Sequence, residues 1–294
     1  MKILFPTDGS EHSQQAARFI NRFHLSDKDE IVILHAISWL PVIREWESLA
    51  DDFRKIREDV VPRILESASD ILKPTGARIT TSYIEDFPDK SIIDTAEETS
   101  PDLIVMGAKG LRGIATHIVG SVTKTVAAKV HRPVLIVRST KKELTAPFKI
   151  LFATDGSEHS DATAGLLSSI PFPDDTELTV LNVSFTTLYD IPDQYAMEVD
   201  SMIKNIVAHT HEESSKISDD ITRKTGELLK DRFAMSERIT KFGDPAVEIL
   251  NLADEMDADI IALGSSGRRG FLKKMGSVSR YVMNHATCPV LLGR

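Results

Sequence analysis

The chain has 294 residues and a formal net charge of -9 at pH 7. The length predicts about two domains, and the acidic balance argues against a nucleic-acid-binding protein, whose surface is usually basic. The single cysteine, Cys288, excludes an internal disulfide and is typical of a reducing compartment. The chain has no run of about 18 apolar residues, and its first apolar run is too short for a signal peptide, so we expect a cytoplasmic protein without a membrane span.

The first 140 residues predict strands that alternate with helices. The predicted strands are 3–5, 31–37, 77–84, 102–106 and 133–137. The predicted helices are 14–23, which Ser10 or Ser13 could cap, 46–72, 91–98 and one that begins after Gly120. This alternation predicts a parallel sheet with helices on both faces. Ligands of such sheets bind beyond the carboxyl ends of the strands, where the strand order reverses.

The chain contains two copies of one unit. Residues 2–16 (KILFPTDGSEHSQQA) match residues 149–163 (KILFATDGSEHSDAT) at eleven of fifteen positions, and RPVLIVR near the end of the first copy corresponds to CPVLLGR at the end of the second. We therefore predict one domain at 1–140, a linker at 141–147 and a second domain at 148–294. The second domain follows the same plan, with a loop or lid at 189–197 and a charged helix at 199–229.

A glycine-rich stretch follows the fourth predicted strand of each copy. Residues 107–123 (GAKGLRGIATHIVGSVT) have the spacing G-x2-G-x9-G followed by serine, and residues 264–279 (GSSGRRGFLKKMGSVS) have one residue fewer between the last two of these glycines. Glycines let backbone N–H groups approach an anion, and a helix start offers further N–H groups. The stretch is neither a Walker A loop nor a dinucleotide fingerprint. Taken alone, it also fits a plain turn that joins a strand to a helix.

The opening strand with TDGSEHS, the glycine motif and the closing PVLIV strand occur in this order twice, and this combination resembles the universal stress protein family in its tandem form. The resemblance covers nearly the whole chain. It implies two doubly wound, Rossmann-like α/β domains with strand order 3-2-1-4-5. It also implies that the domains pair through their fifth strands as an internal pseudo-dimer, which leaves open whether a homodimer forms. The reversal of strand order then brings Asp8 and Gly107 to one crevice.

The resemblance assigns an adenine nucleotide site to each repeat. The first site comprises Pro6, Thr7, Asp8, Ala36, Met106, Gly107, Gly110, Gly120, Ser121, Val122 and Thr123. The second comprises Ala153, Thr154, Asp155, Val183, Leu263, Gly264, Gly267, Gly276, Ser277, Val278 and Ser279, and its shortened loop leaves its occupancy open. The regions of Asp8 and Ala36 would hold adenosine, and the glycines, Ser121 and Thr123 would hold phosphates. Mg²⁺ or Mn²⁺ would bind through the phosphates, with no protein ligands.

Four basic residues of the second loop add local positive charge or form a solvated helix face: Arg268, Arg269, Lys273 and Lys274. We predict a stress-response protein that binds ATP, ADP or AMP and acts as a nucleotide-dependent switch on a protein partner. One alternative is a slow ATPase or autokinase, although no Walker B pattern or candidate base accompanies the loop. The other alternative is a protein-interaction domain without a ligand. We predict no catalytic residue.

Overall fold

The computed structural model describes residues 1–37, 50–110, 119–138, 147–184, 201–233, 235–267 and 275–294. Several predicted features lie outside these residues. They are the start of the helix predicted at 46–72, residues 111–118 of the first glycine stretch, most of the linker, the lid candidate at 189–197, and Arg268, Arg269, Lys273 and Lys274.

Both repeats alternate strands with helices, as their hydrophobic patterns predict. The strands are β1 (Lys2–Pro6), β2 (Glu30–Ala36), β3 (Arg78–Ile84), β4 (Leu103–Gly107), β5 (Val134–Val137), β6 (Lys149–Ala153), β7 (Glu177–Ser184), β8 (Met235–Phe242), β9 (Ile260–Gly264) and β10 (Val290–Gly293). The helices are α1 (Glu11–Ile20), α2 (Ala50–Leu72), α3 (Pro88–Thr99), α4 (Ser121–Lys129), α5 (Glu158–Ser169), α6 (Ser201–Leu229), α7 (Pro245–Glu255) and α8 (Ser277–His285). A short 3-10 turn, Lys73–Thr75, follows α2.

All described strands belong to one sheet with the order β3-β2-β1-β4-β5-β10-β9-β6-β7-β8. Within each repeat the paired strands run parallel, and this confirms the α/β fold. The repeats join where β5 pairs antiparallel with β10, with Leu135 opposite Leu291. The sheet is therefore mixed, and the strand order reverses beside β1 in one repeat and beside β6 in the other.

The sheet is covered on both faces because its strands present apolar side chains in both directions. Along β1, Ile3 and Phe5 belong to one core cluster, and Leu4 belongs to the other. Helices α1, α2, α5 and α6 pack on the first face, and α3, α4, α7 and α8 pack on the second. Each fully buried side chain of this size stabilises the fold by about 1.5–3 kcal/mol. In the described parts of the chain, no helix has the length and apolar character needed to cross a membrane.

Cys288 is a small buried residue just before β10. The side chain is in the second core cluster, and burial raises the pKa of its thiol to about 12. The thiol is therefore neutral at pH 8, and only the thiolate reacts with alkylating agents. We expect iodoacetamide at pH 8 to label the folded protein about 1000-fold more slowly than the urea-unfolded protein, measured by mass spectrometry. Similar rates in the two states would contradict this burial, and Cys288→Ser controls for labelling elsewhere.

Candidate functional site

The turn after β1 is held by buried hydrogen bonds. The backbone N–H of Thr7 donates to the carbonyl of Leu34 in β2 at 2.9 Å. The Thr7 hydroxyl donates to Ser13 Oγ in α1 at 3.0 Å and accepts from the N–H of Gly9 at 3.2 Å. Gly9 has φ +75°, a conformation that favours glycine. The turn is therefore fixed against both a neighbouring strand and the following helix.

The glycine stretch of the first repeat touches this turn through Asp8. Asp8 Oδ1 accepts from the N–H of Ser10 at 3.0 Å, which orients the carboxylate. A Cβ added to Gly110 would lie 2.4 Å from Asp8 Oδ2, and one added to Gly107 would lie 2.9 Å from the backbone carbonyl of His12. A side chain at Gly107 would displace the backbone of α1, and one at Gly110 would require the Asp8 carboxylate to move. The structure therefore brings the two repeated sequence signatures together at the carboxyl ends of β1 and β4.

The helix that leaves the glycine stretch starts without a side-chain cap. Its N-cap residue, Gly120, has φ -64° and ψ 158° and no capping side chain. The N–H of Gly120 donates to the carbonyl of Ala108 at 2.8 Å, and its carbonyl accepts from the N–H of Lys124 at 2.9 Å. The N–H groups of the first turn, including that of the exposed Ser121, lie at the positive end of the helix dipole. This end of α4 can bind an anion.

The predicted residues of the first site divide into an accessible and a buried set. Half-buried or exposed residues are Asp8, Ala36, Gly110, Gly120, Ser121 and Val122. Buried residues are Pro6, Thr7, Met106, Gly107 and Thr123. The Thr123 hydroxyl donates to the carbonyl of Gly107 at 3.0 Å. Thr123 thus fastens the start of α4 to the end of β4, a different contact from the phosphate bond that the resemblance implies.

The second repeat reproduces the same geometry. The N–H of Ser157 donates to Asp155 Oδ1 at 3.1 Å, and a Cβ on Gly267 would lie 2.7 Å from Asp155 Oδ2. Gly276 is the uncapped N-cap of α8, and its N–H donates to the carbonyl of Ser265 at 2.8 Å. The loop is one residue shorter than its counterpart, and that difference falls within residues 268–274, outside the described residues.

The predicted residues of the second site show the same pattern of exposure as the first, except that Gly264 is half-buried where Gly107 is buried. Half-buried or exposed residues are Asp155, Val183, Gly264, Gly267, Gly276, Ser277 and Val278, and buried residues are Ala153, Thr154, Leu263 and Ser279. The Ser279 hydroxyl donates to the carbonyl of Gly264 at 2.7 Å, as Thr123 does to Gly107 in the first repeat. The Thr154 hydroxyl donates to Ser160 Oγ at 3.0 Å. The two sites therefore have the same framework.

Two equivalent residues that support the sites, His35 and Asn182, were not predicted from the sequence. In β2, His35 Nδ1 donates to the carbonyl of Thr7 at 2.8 Å, and in β7, Asn182 Nδ2 donates to the carbonyl of Thr154 at 2.7 Å. Both side chains are buried and hold the turn after the first strand of their repeat. The available signal was a polar residue near the end of an apolar strand. This is one of the positions at which the two frameworks differ in residue type.

No metal centre accompanies the sites among the residues that the structure describes. Their His, Cys, Asp and Glu side chains form no group of three or more that could hold a metal ion. The fold is a doubly wound α/β domain with a glycine-lined turn and an open helix N-terminus beside the switch point, where ligands of such folds bind. Comparison with known proteins identifies the protein family.

The chain belongs to the universal stress protein family, whose sequence profile matches residues 1–138 and again residues 148–294. A universal stress protein of Methanocaldococcus jannaschii is 30% identical over 147 residues, which are 48% of this chain and 84% of that protein. A solved universal stress protein from Archaeoglobus fulgidus shares the fold over 100% of this chain and 98% of its own, with a TM-score of 0.65 and 20% identity. A solved universal stress protein in complex with cAMP is 28% identical and covers 48% of this chain and 98% of that chain, with a TM-score of 0.38.

Proposed function

We propose that each repeat binds one adenine nucleotide at the carboxyl edge of its strands. The observation that carries this proposal is the uncapped start of α4, where Gly120 is hydrogen-bonded to Ala108 in the same glycine stretch that brings Gly110 against the Asp8 carboxylate. The same arrangement occurs at α8 and Asp155. Both repeats therefore combine an uncapped helix N-terminus, which suits phosphate, with a carboxylate, which suits ribose hydroxyls, at the place where doubly wound folds bind ligands.

The phosphates would lie on the first turn of α4 or α8. The N–H groups there have no side-chain cap and carry a partial positive charge equivalent to about +0.5. The exposed hydroxyl of Ser121 or Ser277 adds a donor. The absence of a Cβ at Gly120 and Gly276 leaves the helix end accessible to a phosphate oxygen. This local field offsets the unfavourable effect of the chain's net charge of -9 on anion binding.

The adenosine would lie across the ends of β1 and β2. Asp8 is oriented by its bond from Ser10, and its carboxylate oxygens accept hydrogen bonds of the kind that ribose hydroxyls donate. Ala36 ends β2 and is half-buried, so its backbone and small side chain can border a base. Asp155 and Val183 have these roles in the second repeat. Mg²⁺ or Mn²⁺ would bind through the nucleotide phosphates.

In this proposal the protein is a cytoplasmic stress-response switch. Nucleotide binding would order the glycine stretch against the Asp8 turn, and a protein partner would recognise the bound form. The glycine stretch supplies N–H groups that bind phosphate but do not by themselves position a water molecule for attack. We therefore propose binding and signalling, with hydrolysis as a side activity at most.

A change of charge at Ser121 tests the phosphate position. Ser121→Glu is expected to weaken ATP binding at the first site at least about tenfold, because the new carboxylate would lie at the helix N-terminus and repel the phosphates of ATP. The helix itself should be retained, since an acidic residue in the first turn is favourable by about 0.3–1 kcal/mol. In Ser121→Gln the new side chain has the size of glutamate without its charge, so this variant should bind ATP with an affinity within about threefold of wild type. Adenosine, which lacks phosphate, should bind all three proteins equally.

Isothermal titration calorimetry with ATP, ADP, AMP, cyclic AMP and adenosine provides the measurement. Ser277→Glu and Ser277→Gln form the matching pair in the second repeat, and each glutamate variant should remove one of two sites. Equal ATP affinities for Ser121→Glu and Ser121→Gln would contradict the phosphate position. Featureless titrations of the wild-type protein with all five compounds would contradict the proposal and favour an interaction domain without a ligand.

A further inference from the structure

Two arginines reach from one repeat into the other at the central strand pair. Arg138 directly follows β5 and is buried, and its guanidinium donates to the carbonyl of Met283 in α8 at 2.6 Å. Arg294 directly follows β10, and its guanidinium donates to the carbonyl of Ala127 in α4. Burial lowers the pKa of both arginines, so each positive charge is held there at an energetic cost that its contacts must offset.

The accepting carbonyls have equivalent positions in the two helices. In α4 the last backbone bond to the helix is accepted by Val126, so Ala127 offers the first carbonyl without a partner inside the helix. Met283 has the same position in α8. The C-terminus of a helix carries a partial negative charge, and a guanidinium there is favourable. Each arginine therefore caps a helix that belongs to the other repeat.

The opposite ends of these two helices form the proposed nucleotide sites. Helices α4 and α8 have nine residues each and begin at Gly120 and Gly276. A helix of this length spans about 13 Å and moves as a rigid body. A contact that fixes its C-terminus therefore also fixes the N–H groups at its N-terminus.

Each arginine is also tied to the glycine stretch of its own repeat. The N–H of Ser265 donates to the carbonyl of Gly293, the residue before Arg294, at 2.9 Å. The N–H of Ala108 donates to the carbonyl of Val137, the residue before Arg138, at 2.8 Å. A continuous path of hydrogen bonds and rigid helices thus connects the two sites in both directions.

We propose that Arg294 is a positioning residue for the first nucleotide site and Arg138 for the second, so that each site is held in place by the other repeat. This inference rests on the proposed function. It gives the tandem arrangement a role beyond doubling the number of sites, because an isolated repeat would lack the cap on its own phosphate-binding helix.

Hydrogen exchange tests the positioning without any nucleotide. In Arg294→Gln the hydrogen-bonded amides of α4, beginning with that of Lys124, should exchange faster, and those of α8 should be unchanged. Arg138→Gln should show the reverse, and Arg294→Lys, which keeps a donor and the charge, should restore part of the protection in α4. Arg78→Gln, on the exposed edge strand β3, controls for loss of an arginine. Faster exchange only in the repeat that contains the substituted arginine, or equally faster exchange in both helices, would overturn the proposal.

ATP titrations complete the test in variants in which only one of the two sites can still bind ATP. With Ser277→Glu, which leaves the first site, Arg294→Gln should weaken ATP binding about five- to tenfold. With Ser121→Glu, which leaves the second site, Arg294→Gln should have no effect, and Arg138→Gln should give the opposite pattern. Weaker ATP binding at the site in the same repeat as the substituted arginine, or unchanged ATP binding at both sites, would overturn the proposal. Crossed changes in exchange together with no ATP binding by the wild-type protein would support the helix caps and contradict the nucleotide sites.

Discussion

Gly110→Val is expected to weaken ATP binding at the first site at least about 100-fold, because the loss of two hydrogen bonds to a charged phosphate, each worth about 1.5 kcal/mol or more, has an effect of this size. A Cβ at this position would lie 2.4 Å from Asp8 Oδ2, well inside van der Waals contact. One oxygen of the Asp8 carboxylate accepts from the N–H of Ser10. The variant must therefore either separate the glycine stretch from the turn after β1 or turn the Asp8 carboxylate out of this position, and either change disturbs the proposed site.

The second repeat supplies a matched experiment. Gly267→Val would place its Cβ 2.7 Å from Asp155 Oδ2 and should remove the second site alone. Each single variant should halve the ATP stoichiometry in calorimetry, and the double variant should not bind. Gly165→Ala in α5 is the control, since an added Cβ there meets no atom within 4 Å. Affinity of the first site within about threefold of wild type in Gly110→Val would contradict the site assignment.

Asp259→Ala is expected to lower the free energy of unfolding by about 3–5 kcal/mol, the usual effect of removing one partner of a buried ion pair. The Asp259 side chain is 2% exposed and lies 3.0 Å from the guanidinium of Arg22, which belongs to the other repeat. It also accepts from the N–H of Lys149 at 2.9 Å. Without the carboxylate, the largely buried Arg22 would lose its counter-charge at the contact between the repeats.

An equivalent aspartate in the first repeat isolates the contribution of that contact. Asp102 accepts from the N–H of Lys2 at 2.7 Å, as Asp259 does from Lys149, but Asp102 is exposed. Asp102→Ala should therefore cost only about 1 kcal/mol in urea unfolding. A double-mutant cycle of Arg22→Ala with Asp259→Ala should give a coupling energy of at least about 1 kcal/mol. Equal costs for the two aspartates would contradict a stabilising ion pair between the repeats.

Aromatic packing surrounds the same contact. The Arg22 guanidinium lies 4.1 Å from the ring centroid of Phe148. Phe23 and Phe172 meet edge to face with centroids 5.4 Å apart, and each belongs to a different repeat. The two repeats thus share a core on the first face of the sheet as well as the β5–β10 pair, so we expect them to unfold together in one transition.

Hydrophobic periodicity predicted the alternation of strands and helices, but helix starts depended on caps that the pattern does not resolve. The first helix was predicted from residue 14, with either Ser10 or Ser13 as the cap. It begins at Glu11, because Ser10 Oγ accepts from the N–H of Ser13, and the Ser13 hydroxyl instead donates to the carbonyl of Ser10. The third helix starts three residues earlier than predicted, at Pro88, since proline suits the first position of a helix.

More of the candidate site could be predicted from the sequence than of the contacts between the repeats that support it. The TDGSEHS segments and the glycine spacing are local and repeated, so the sequence alone indicated them. The ion pair of Arg22 with Asp259 joins residues 237 apart, and the bond of Arg138 to Met283 joins residues 145 apart. No local pattern marks such pairs, because they arise only when the repeats dock. His35 and Asn182 were missed for a related reason, since each acts on a carbonyl of the neighbouring strand.

The nucleotide content of the purified wild-type protein tests the central claim most directly. The protein is denatured, and the released small molecules are quantified by liquid chromatography with mass spectrometry, before and after equilibration with excess ATP and removal of free ligand. Because the two repeats have the same framework, we expect about two adenine nucleotides per chain after equilibration. One per chain would restrict binding to a single repeat. No adenine nucleotide in either sample, together with no calorimetric binding, would contradict the proposed function.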